Sequence, residues 1–230
     1  MRPSWSRAAP RAQDLVLAYR PEVVVHDPAD ASDRLPHASA WIVGSGVADH
    51  PGQDAVIGAA LASGTPLVAD AGALEACVRS RAAGARQTPP DRVLLTPHES
   101  ELVRALAAIR HDVTLADVRR DRAGHARLLA ETARATVLLK GSRTIIAAPG
   151  GAVVELEEAP AWLATAGAGD VLAGIAGALL ASGLSAADAG AAASWVHARA
   201  AEAASGGGPI VALDVADALP AVIAELLLGS

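Results

Sequence analysis

The residues best suited to chemistry form the segment Thr165-Ala166-Gly167-Ala168-Gly169-Asp170, which precedes a long apolar stretch. Two glycines let a backbone turn sharply and approach a ligand closely. If a helix begins there, the amides of Gly167, Ala168 and Gly169 converge beside the positive end of the helix dipole, which suits a phosphoryl group. Asp170 could then take a proton from a substrate hydroxyl. The alternative is a glycine-rich turn with an aspartate at the helix start.

A second candidate is the segment Lys140-Gly141-Ser142-Arg143-Thr144, which joins two strand-like runs. Its lysine and arginine could neutralise phosphates, and its two hydroxyls could donate hydrogen bonds. The competing interpretation is a polar turn. Against it, Lys140 is the only lysine among 19 basic residues, so this position has kept a compact point charge where the rest of the chain uses arginine.

His98 and Glu101 lie three residues apart and would share one face of a helix that begins there. They could orient a substrate or a magnesium-bound water, or they could be a turn histidine and a first-turn carboxylate favoured by the helix dipole. Gly44-Ser45-Gly46 is by default a tight turn after a strand. Asp70, which also follows a strand-like run, is interpreted as a cap or turn residue.

The other histidines show no metal-ligand spacing: His26, His37, His50, His111, His125 and His197.

Short aliphatic runs alternate with helical stretches over most of the chain, which predicts βαβ units in a mostly parallel sheet with helices on both faces. The predicted strands begin at Val23, Trp41, Pro66, Val93 and Val137, and the intervening helices span 53–63, 72–83, 99–109 and 115–133. Residues 144–148 and 152–156 flank a Pro-Gly-Gly turn and predict an antiparallel edge hairpin. Helices are also predicted after Asp170 and over 185–204 and 214–228. The polar candidates follow strand ends, where open α/β sheets bind ligands.

Composition excludes several classes of protein. The net charge of −6 and the lack of a basic run argue against a nucleic-acid partner. The longest uncharged run, 171–187, is short for a membrane span, and we see no signal peptide. The single cysteine, Cys77, fits a reducing cytoplasm. We also expect a homo-oligomer, of a size that the sequence does not give.

Three segments together resemble the ADP/ATP-dependent NAD(P)H-hydrate dehydratases: LLTPHESEL, VLLKGSRTIIAAPGG and WLATAGAGDVLAGIAGALLASGLSAADA. The resemblance implies a ribokinase-like fold, a three-layer α/β/α arrangement. It runs from Val23 to the C-terminus, so we expect a poorly assigned segment at 1–22 and one dehydratase domain at 23–230. Members of the family begin with a further glycine-rich strand–helix unit, and none is found before Val23.

The resemblance also implies a reaction, in which ADP or ATP with Mg²⁺ phosphorylates the ring hydroxyl of (6S)-NAD(P)H hydrate and loss of phosphate restores NAD(P)H. Asp170 would be the base and a substrate contact, and Gly169 would contact the nucleotide. The segment Lys140 to Thr144 would line the adenine nucleotide site. His98 and Gly46 would contact the hydrated dinucleotide, and Glu101 would be linked to magnesium indirectly.

One departure from the family lies beside His98, where Glu99-Ser100-Glu101 replaces the usual Pro-Gly-Glu and adds a carboxylate near a site for anions. Two alternatives stay open. A vitamin-precursor or sugar kinase of the same fold would use the same base and release a stable phosphorylated alcohol. A non-catalytic remnant would bind nucleotide without turnover.

Overall fold

The chain is described by a computed structural model over residues 5–7, 10–26, 37–45, 53–84 and 87–229, in two compact units that divide between Ser39 and Ala40. In the first unit, β1 (Trp5–Arg7) and β2 (Val24–His26) are parallel, and α1 (Pro10–Tyr19) lies between them in the chain. A strand–helix unit therefore does precede Val23, although it has none of the glycines that the family resemblance led us to look for. A three-residue strand with one large apolar side chain gives too little pattern to read. The division predicted between 22 and 23 stays a prediction.

The second unit is built on one six-stranded sheet whose strands follow chain order. Neighbouring strands are parallel up to the fourth and antiparallel in the last two pairings, which confirms the mostly parallel sheet with an edge hairpin. The strands are β3 (Trp41–Val43), β4 (Leu67–Ala69), β5 (Val93–Leu95), β6 (Thr136–Leu139), β7 (Arg143–Ala147) and β8 (Val153–Glu158).

The helices of this unit are α2 (Gln53–Ala62), α3 (Leu74–Ala82), α4 (Glu99–Ala107), α5 (Leu115–Arg120), α6 (Arg122–Ala133), α7 (Ala168–Ala181), α8 (Ala186–Ser205) and α9 (Ala212–Leu228). The single helix predicted over 115–133 is two helices. Asp121 leaves helical geometry at φ −142° and caps α6, accepting from the Gly124 amide at 2.8 Å. The helix predicted over 72–83 begins with a 3-10 turn at Ala71–Ala73.

Helices cover both faces of the sheet, which confirms the predicted layering. On one face, Val68, Leu94 and Leu138 pack against small residues of α7 and α8. A Cβ at Gly190 of α8 would lie only 3.3 Å from the Leu94 side chain, so the helix rests directly on the sheet. On the opposite face, α6 packs on β6 and β7 and also contacts α3 and α4. The last helix, α9, packs against α7 and α8. The small alanine and glycine side chains allow these close layers in a chain with only 2% aromatic residues.

Among the helices of the described ranges, none combines the length and the apolar character that crossing a bilayer requires.

Candidate functional site

Three parallel strands end side by side and bring distant polar residues together. Beyond β5, the Thr96 amide donates to Ala69 O at 3.0 Å, and beyond β6, the Lys140 amide donates to Pro97 O at 2.8 Å. These bonds extend the strand ladder by one residue past the ends of β5 and β6. The side chains that follow the strands are therefore held at one edge of the sheet, as predicted from the sequence.

At this edge, Lys140 forms ion pairs with two carboxylates. Its Nζ lies 2.7 Å from Asp70 Oδ1 and 3.6 Å from Glu101 Oε2. The Asp70 and Glu101 side chains are only 4% and 9% exposed, so each depends on the ammonium group for charge compensation. An ammonium has three N–H donors, and these two contacts leave one of them for a ligand.

Asp70 has a different role from the cap or turn residue that the sequence indicated. It occupies the N-cap position of the Ala71–Ala73 turn, but its side chain makes no capping bond. Its Oδ1 instead accepts from Thr96 Oγ1 at 2.9 Å and from Lys140. The one sequence signal for this role is a single aspartate directly after the buried strand β4. The partners come from β5 and β6, which only the sheet order brings close.

His98 and Glu101 form a reciprocal cap at the start of α4. The His98 Nδ1 accepts from the Ser100 and Glu101 amides, both at 3.2 Å, and the His98 amide donates to Glu101 Oε2 at 2.8 Å. The His98 Nε2 lies 3.4 Å from Glu101 Oε1, and the His98 side chain is 51% exposed. Because Nδ1 acts as an acceptor, the proton of a neutral ring is on Nε2, next to Glu101 Oε1.

The glycine-rich segment opens α7 as predicted. Gly167 adopts φ +84°, a left-handed conformation that favours glycine, and its carbonyl accepts from the Asp170 amide at 3.0 Å. The Ala168 amide already donates to Thr165 O at 3.3 Å, whereas the Gly167 and Gly169 amides have no acceptor within the described part of the chain. The predicted anion hole therefore has two available amides. The Asp170 side chain is exposed at the start of the helix.

Gly169 links this segment to the Lys140 ion pairs. A Cβ at Gly169 would lie 3.5 Å from Lys140 Nζ and 3.9 Å from Asp70 Oδ2. Lys140 and Gly169, which belong to the two motifs that the sequence singled out, thus meet at one place although they are 29 positions apart in the chain. Their meeting places a helix N-terminus and a lysine, which can bind the phosphates of a nucleotide, beside a carboxylate oxygen that could hold a cation.

The turn between β6 and β7 is open to solvent. Gly141, Ser142 and Arg143 are exposed and Thr144 is half-buried, while Arg143 Nη1 lies 3.7 Å from Glu155 Oε1.

At the end of β3, Gly44 has φ +97°, and a Cβ there would lie 2.0 Å from the Asp70 carbonyl oxygen. Gly44 therefore lets β3 pass close to the Asp70 backbone. Gly46, the predicted substrate contact, lies outside the described residues.

His197 is a buried residue to which the sequence assigned no role. It lies on α8, it is 7% exposed, and burial lowers its pKa from 6.5 to about 4, although a hydrogen bond to the Ala168 backbone opposes that shift. The ring therefore stays neutral near neutral pH and sits against the first residue of α7. No signal in the sequence distinguishes His197 from the other histidines.

Comparisons with known proteins identify the family of this chain. The family model described as NAD(P)H-hydrate dehydratase matches residues 8–220. A bifunctional NAD(P)H-hydrate repair enzyme from Mycobacterium leprae is 41% identical over 195 residues, which cover 85% of this chain and 38% of that protein. An ADP-dependent (S)-NAD(P)H-hydrate dehydratase from Neisseria meningitidis is 36% identical over 194 residues, covering 81% of this chain and 62% of that protein. The chain thus spans less than two thirds of either relative.

Solved structures confirm the ribokinase-like fold. The ADP/ATP-dependent NAD(P)H-hydrate dehydratase of Bacillus subtilis, co-crystallised with ATP and Mg²⁺, superposes with a TM-score of 0.80 at 25% identity. The match covers 94% of this chain and 76% of that one. A hydroxyethylthiazole kinase from Pyrococcus horikoshii reaches a TM-score of 0.66 at 18% identity, a likeness of fold alone.

Proposed function

This chain belongs to the NAD(P)H-hydrate dehydratase family, and from that membership we propose that it converts (6S)-NAD(P)H hydrate to NAD(P)H with ADP or ATP as phosphoryl donor. The observation that carries the proposal is the approach of Gly169, at the start of α7, to the Lys140–Asp70 ion pair. The names of the Neisseria and Bacillus relatives support the choice of substrate and nucleotide.

Asp170 is the proposed base and a substrate contact. It takes the proton of the ring hydroxyl as that oxygen bonds to the terminal phosphorus of the nucleotide, and the bridging P–O bond breaks to release AMP or ADP. The phosphorylated ring then loses phosphate as its C–O bond breaks, and a proton leaves the neighbouring ring carbon. In support, the Asp170 side chain is exposed, and its carboxylate has no hydrogen bond or ion pair to another described residue.

The transferred phosphoryl group is the proposed ligand of the Gly167 and Gly169 amides. Both lie at the N-terminus of α7, where the helix dipole favours negative charge, and neither has an acceptor in the described ranges. Ala168 completes the turn through its backbone bond to Thr165. The third donor of Lys140 is within reach of the same space, so it can offset charge that builds up on the phosphate oxygens.

The adenine nucleotide is proposed to lie along Lys140, Gly141, Ser142, Arg143 and Thr144, of which the middle three are exposed. The hydrated dinucleotide is proposed to contact His98 through the exposed side of its ring, and Gly46. The reach of His98 is limited, because its Nδ1 is occupied by the α4 cap.

Mg²⁺ is the proposed metal, and the residues present fit it. No group of three or more potential ligands is found among His, Cys, Asp and Glu of the described ranges, but Mg²⁺ typically takes one or two carboxylates, with phosphates and water as the remaining ligands. Asp70 Oδ2 has no partner among the described residues and faces Gly169. Asp70 would hold the ion directly, and Glu101 would hold it through a water molecule. The ion would then neutralise the nucleotide phosphates.

Oligomeric state and cellular location are the last parts of the proposal. A homo-oligomer is supported by the exposed leucines Leu227 and Leu228 at the end of α9, each 83% exposed. A cytoplasmic location is supported by the single buried cysteine, Cys77, whose pKa burial raises to about 12. Nucleic acid and membrane are not proposed as partners.

The test is recovery of NADH from its hydrate. The protein is incubated with hydrated NADH, Mg²⁺ and either ADP or ATP, and NADH is followed by its near-ultraviolet absorbance. Appearance of NADH with free phosphate supports the dehydratase. Folded protein that yields no NADH contradicts it, a stable phosphorylated alcohol indicates a kinase, and ADP binding without turnover indicates a remnant.

Asp170→Asn is the matched test of the base. It should keep ADP binding and lose turnover, because the amide cannot accept the hydroxyl proton. Glu202→Gln is the control and should behave like the parent, because Glu202 is exposed on α8 and, within the described ranges, its carboxylate pairs only with Arg199 of the same helix. Unchanged turnover in Asp170→Asn would remove Asp170 from this role.

A further inference from the structure

Arg122, the first residue of α6, holds both ends of the turn between β6 and β7. Its Nη1 donates to Arg143 O at 2.9 Å, and its Nη2 donates to Lys140 O at 3.2 Å. These two carbonyls flank Gly141 and Ser142. One planar guanidinium therefore sets the distance between the two ends of the turn, a task that a single ammonium group cannot perform.

The opposite side of the same guanidinium faces α4. Arg122 Nε lies 3.1 Å from Glu99 Oε1, and the other carboxylate oxygen of Glu99 accepts from Arg119 Nε at 3.0 Å. The Arg122 and Glu99 side chains are 20% and 26% exposed, so this contact is shielded more than an ordinary surface pair. Glu99 is the first residue of α4 and directly follows the N-cap His98, so Arg122 ties the start of α4 to the turn.

This arrangement accounts for the additional carboxylate beside His98. Glu99 stands near a site for anions, where an unpaired negative charge would oppose binding. Two arginines neutralise it, one of which also holds the turn.

Gly141 is fitted to the guanidinium. A Cβ at that position would lie 2.2 Å from Arg122 Nη2, closer than real Cβ contacts allow. The same Nη2 donates to the carbonyl of the preceding residue, Lys140. Any side chain at 141 must therefore displace either the turn or the arginine.

We propose that Arg122 is a positioning residue of the adenine nucleotide site, which it shapes by holding the Lys140 and Arg143 carbonyls while Glu99 orients its guanidinium. This inference rests on the proposed function, since it takes the turn as the nucleotide contact. Arg122 acts through the turn and does not touch the reacting atoms. Its loss should weaken ADP binding and leave the chemical step intact.

The first experiment compares Arg122→Gln and Arg122→Lys with Arg120→Gln. Arg120 pairs with Asp117 on its own helix and its side chain is 75% exposed, so it serves as the control. ADP affinity is measured by calorimetry, and KM for ADP, KM for hydrated NADH and kcat are measured separately. We expect about a tenfold rise in the ADP dissociation constant and KM for both Arg122 variants, with kcat at saturating ADP and KM for the hydrate nearly unchanged.

The second experiment uses the contact between Gly141 and Arg122. Gly141→Ala should weaken ADP binding in the parent and have little further effect in Arg122→Gln, because the shorter amide no longer occupies the space of the new methyl group. The single variant Gly141→Ala leaves Arg122 in place, so its ADP affinity tests the inference even if Arg122→Gln does not fold.

The possible results distinguish a failure of the proposed function from a failure of the positioning role of Arg122. Parent protein that fails to bind ADP overturns the proposed function and this inference with it. ADP binding by the parent that neither Arg122→Gln nor Gly141→Ala weakens overturns the inference alone. Equal losses in kcat and in affinity for both substrates would also overturn it, since they indicate general damage and not a displaced turn.

Discussion

Lys140 Nζ lies 2.7 Å from Asp70 Oδ1, although seventy residues separate them in the chain. The pair joins the ends of β4 and β6 across β5, and Glu101 adds a second carboxylate at 3.6 Å from the same nitrogen. The single lysine of the chain thus organises a buried, net negative cluster next to the start of α7. This relationship gives the first two predictions.

Lys140→Arg should weaken ADP binding, and Lys140→Met should also destabilise the fold. Arginine keeps the charge but is longer and planar, and Gly169 leaves little room beside Nζ. Methionine leaves Asp70 and Glu101 without their cation, which should cost about 3 kcal/mol of unfolding free energy, the lower end for a buried pair because Lys140 is 20% exposed. Calorimetry with ADP and urea unfolding measure the two effects. Parent-like ADP affinity in Lys140→Arg would show that Lys140 is only a structural ion-pair partner.

Asp70→Asn should reduce activity and raise the Mg²⁺ concentration needed for half-maximal turnover. The amide can still accept from Thr96, but it carries no charge for a cation, so a loss of about 10- to 100-fold is expected. Magnesium titrations of turnover provide the measurement, and Thr96→Val, which removes the hydroxyl contacts to Asp70 Oδ1 and Ala69 O but leaves the Asp70 charge in place, is the control. An unchanged magnesium requirement in an active Asp70→Asn variant would contradict a role for Asp70 in metal binding.

Gly44→Ala should destabilise the protein by about 3 kcal/mol or more, since the new methyl group would lie 2.0 Å from the Asp70 backbone oxygen at φ +97°. Gly150→Ala is the matched control. It also has a positive φ, +66°, but nothing lies within 4 Å of its Cβ, so it should lose only about 1 kcal/mol. Urea unfolding of both variants separates the clash from the conformational strain. Equal losses would mean that the close approach of Gly44 to Asp70 contributes nothing.

His197→Gln should flatten the acid dependence of stability. The pKa of His197 is about 4 in the folded protein and near 6.5 in the unfolded chain, so between these values the unfolded chain binds more protons. Stability is therefore full above pH 6.5 and falls as pH drops towards 4, by up to about 1.4 kcal/mol per pH unit from this residue. Unfolding free energies of parent and variant across this range give the measurement, with the partly exposed His111 changed to Gln as control. If the unfolding free energy depends on pH in the same way in the parent and in His197→Gln, the lowered pKa of His197 is contradicted.

Much of the fold can be predicted from the sequence, because the patterns that indicate strands and helices are local. The aliphatic strands Trp41–Val43 and Val93–Leu95 have the predicted bounds, and the edge hairpin and the three long C-terminal helices differ from prediction by a few residues at most. The break at Asp121 is not visible, because the residues on both sides continue a helical pattern, and only the side-chain cap that accepts from the Gly124 amide marks the start of a new helix. The strand Trp5–Arg7 is too short to carry a pattern.

The sequence by itself determined which residue types could bind phosphate and accept a proton, since glycine spacing, the single lysine and the Asp170 carboxylate are properties of short segments. Only the tertiary structure decided that Asp70 is an ion-pair partner and not a cap, that the Ala168 amide is already occupied, and that Arg122 holds the Lys140 turn. The physical reason is that these relationships depend on which strand ends lie side by side and which helix packs over them. Contacts across such distances leave no periodicity in the chain, so they emerge only once the sheet has formed.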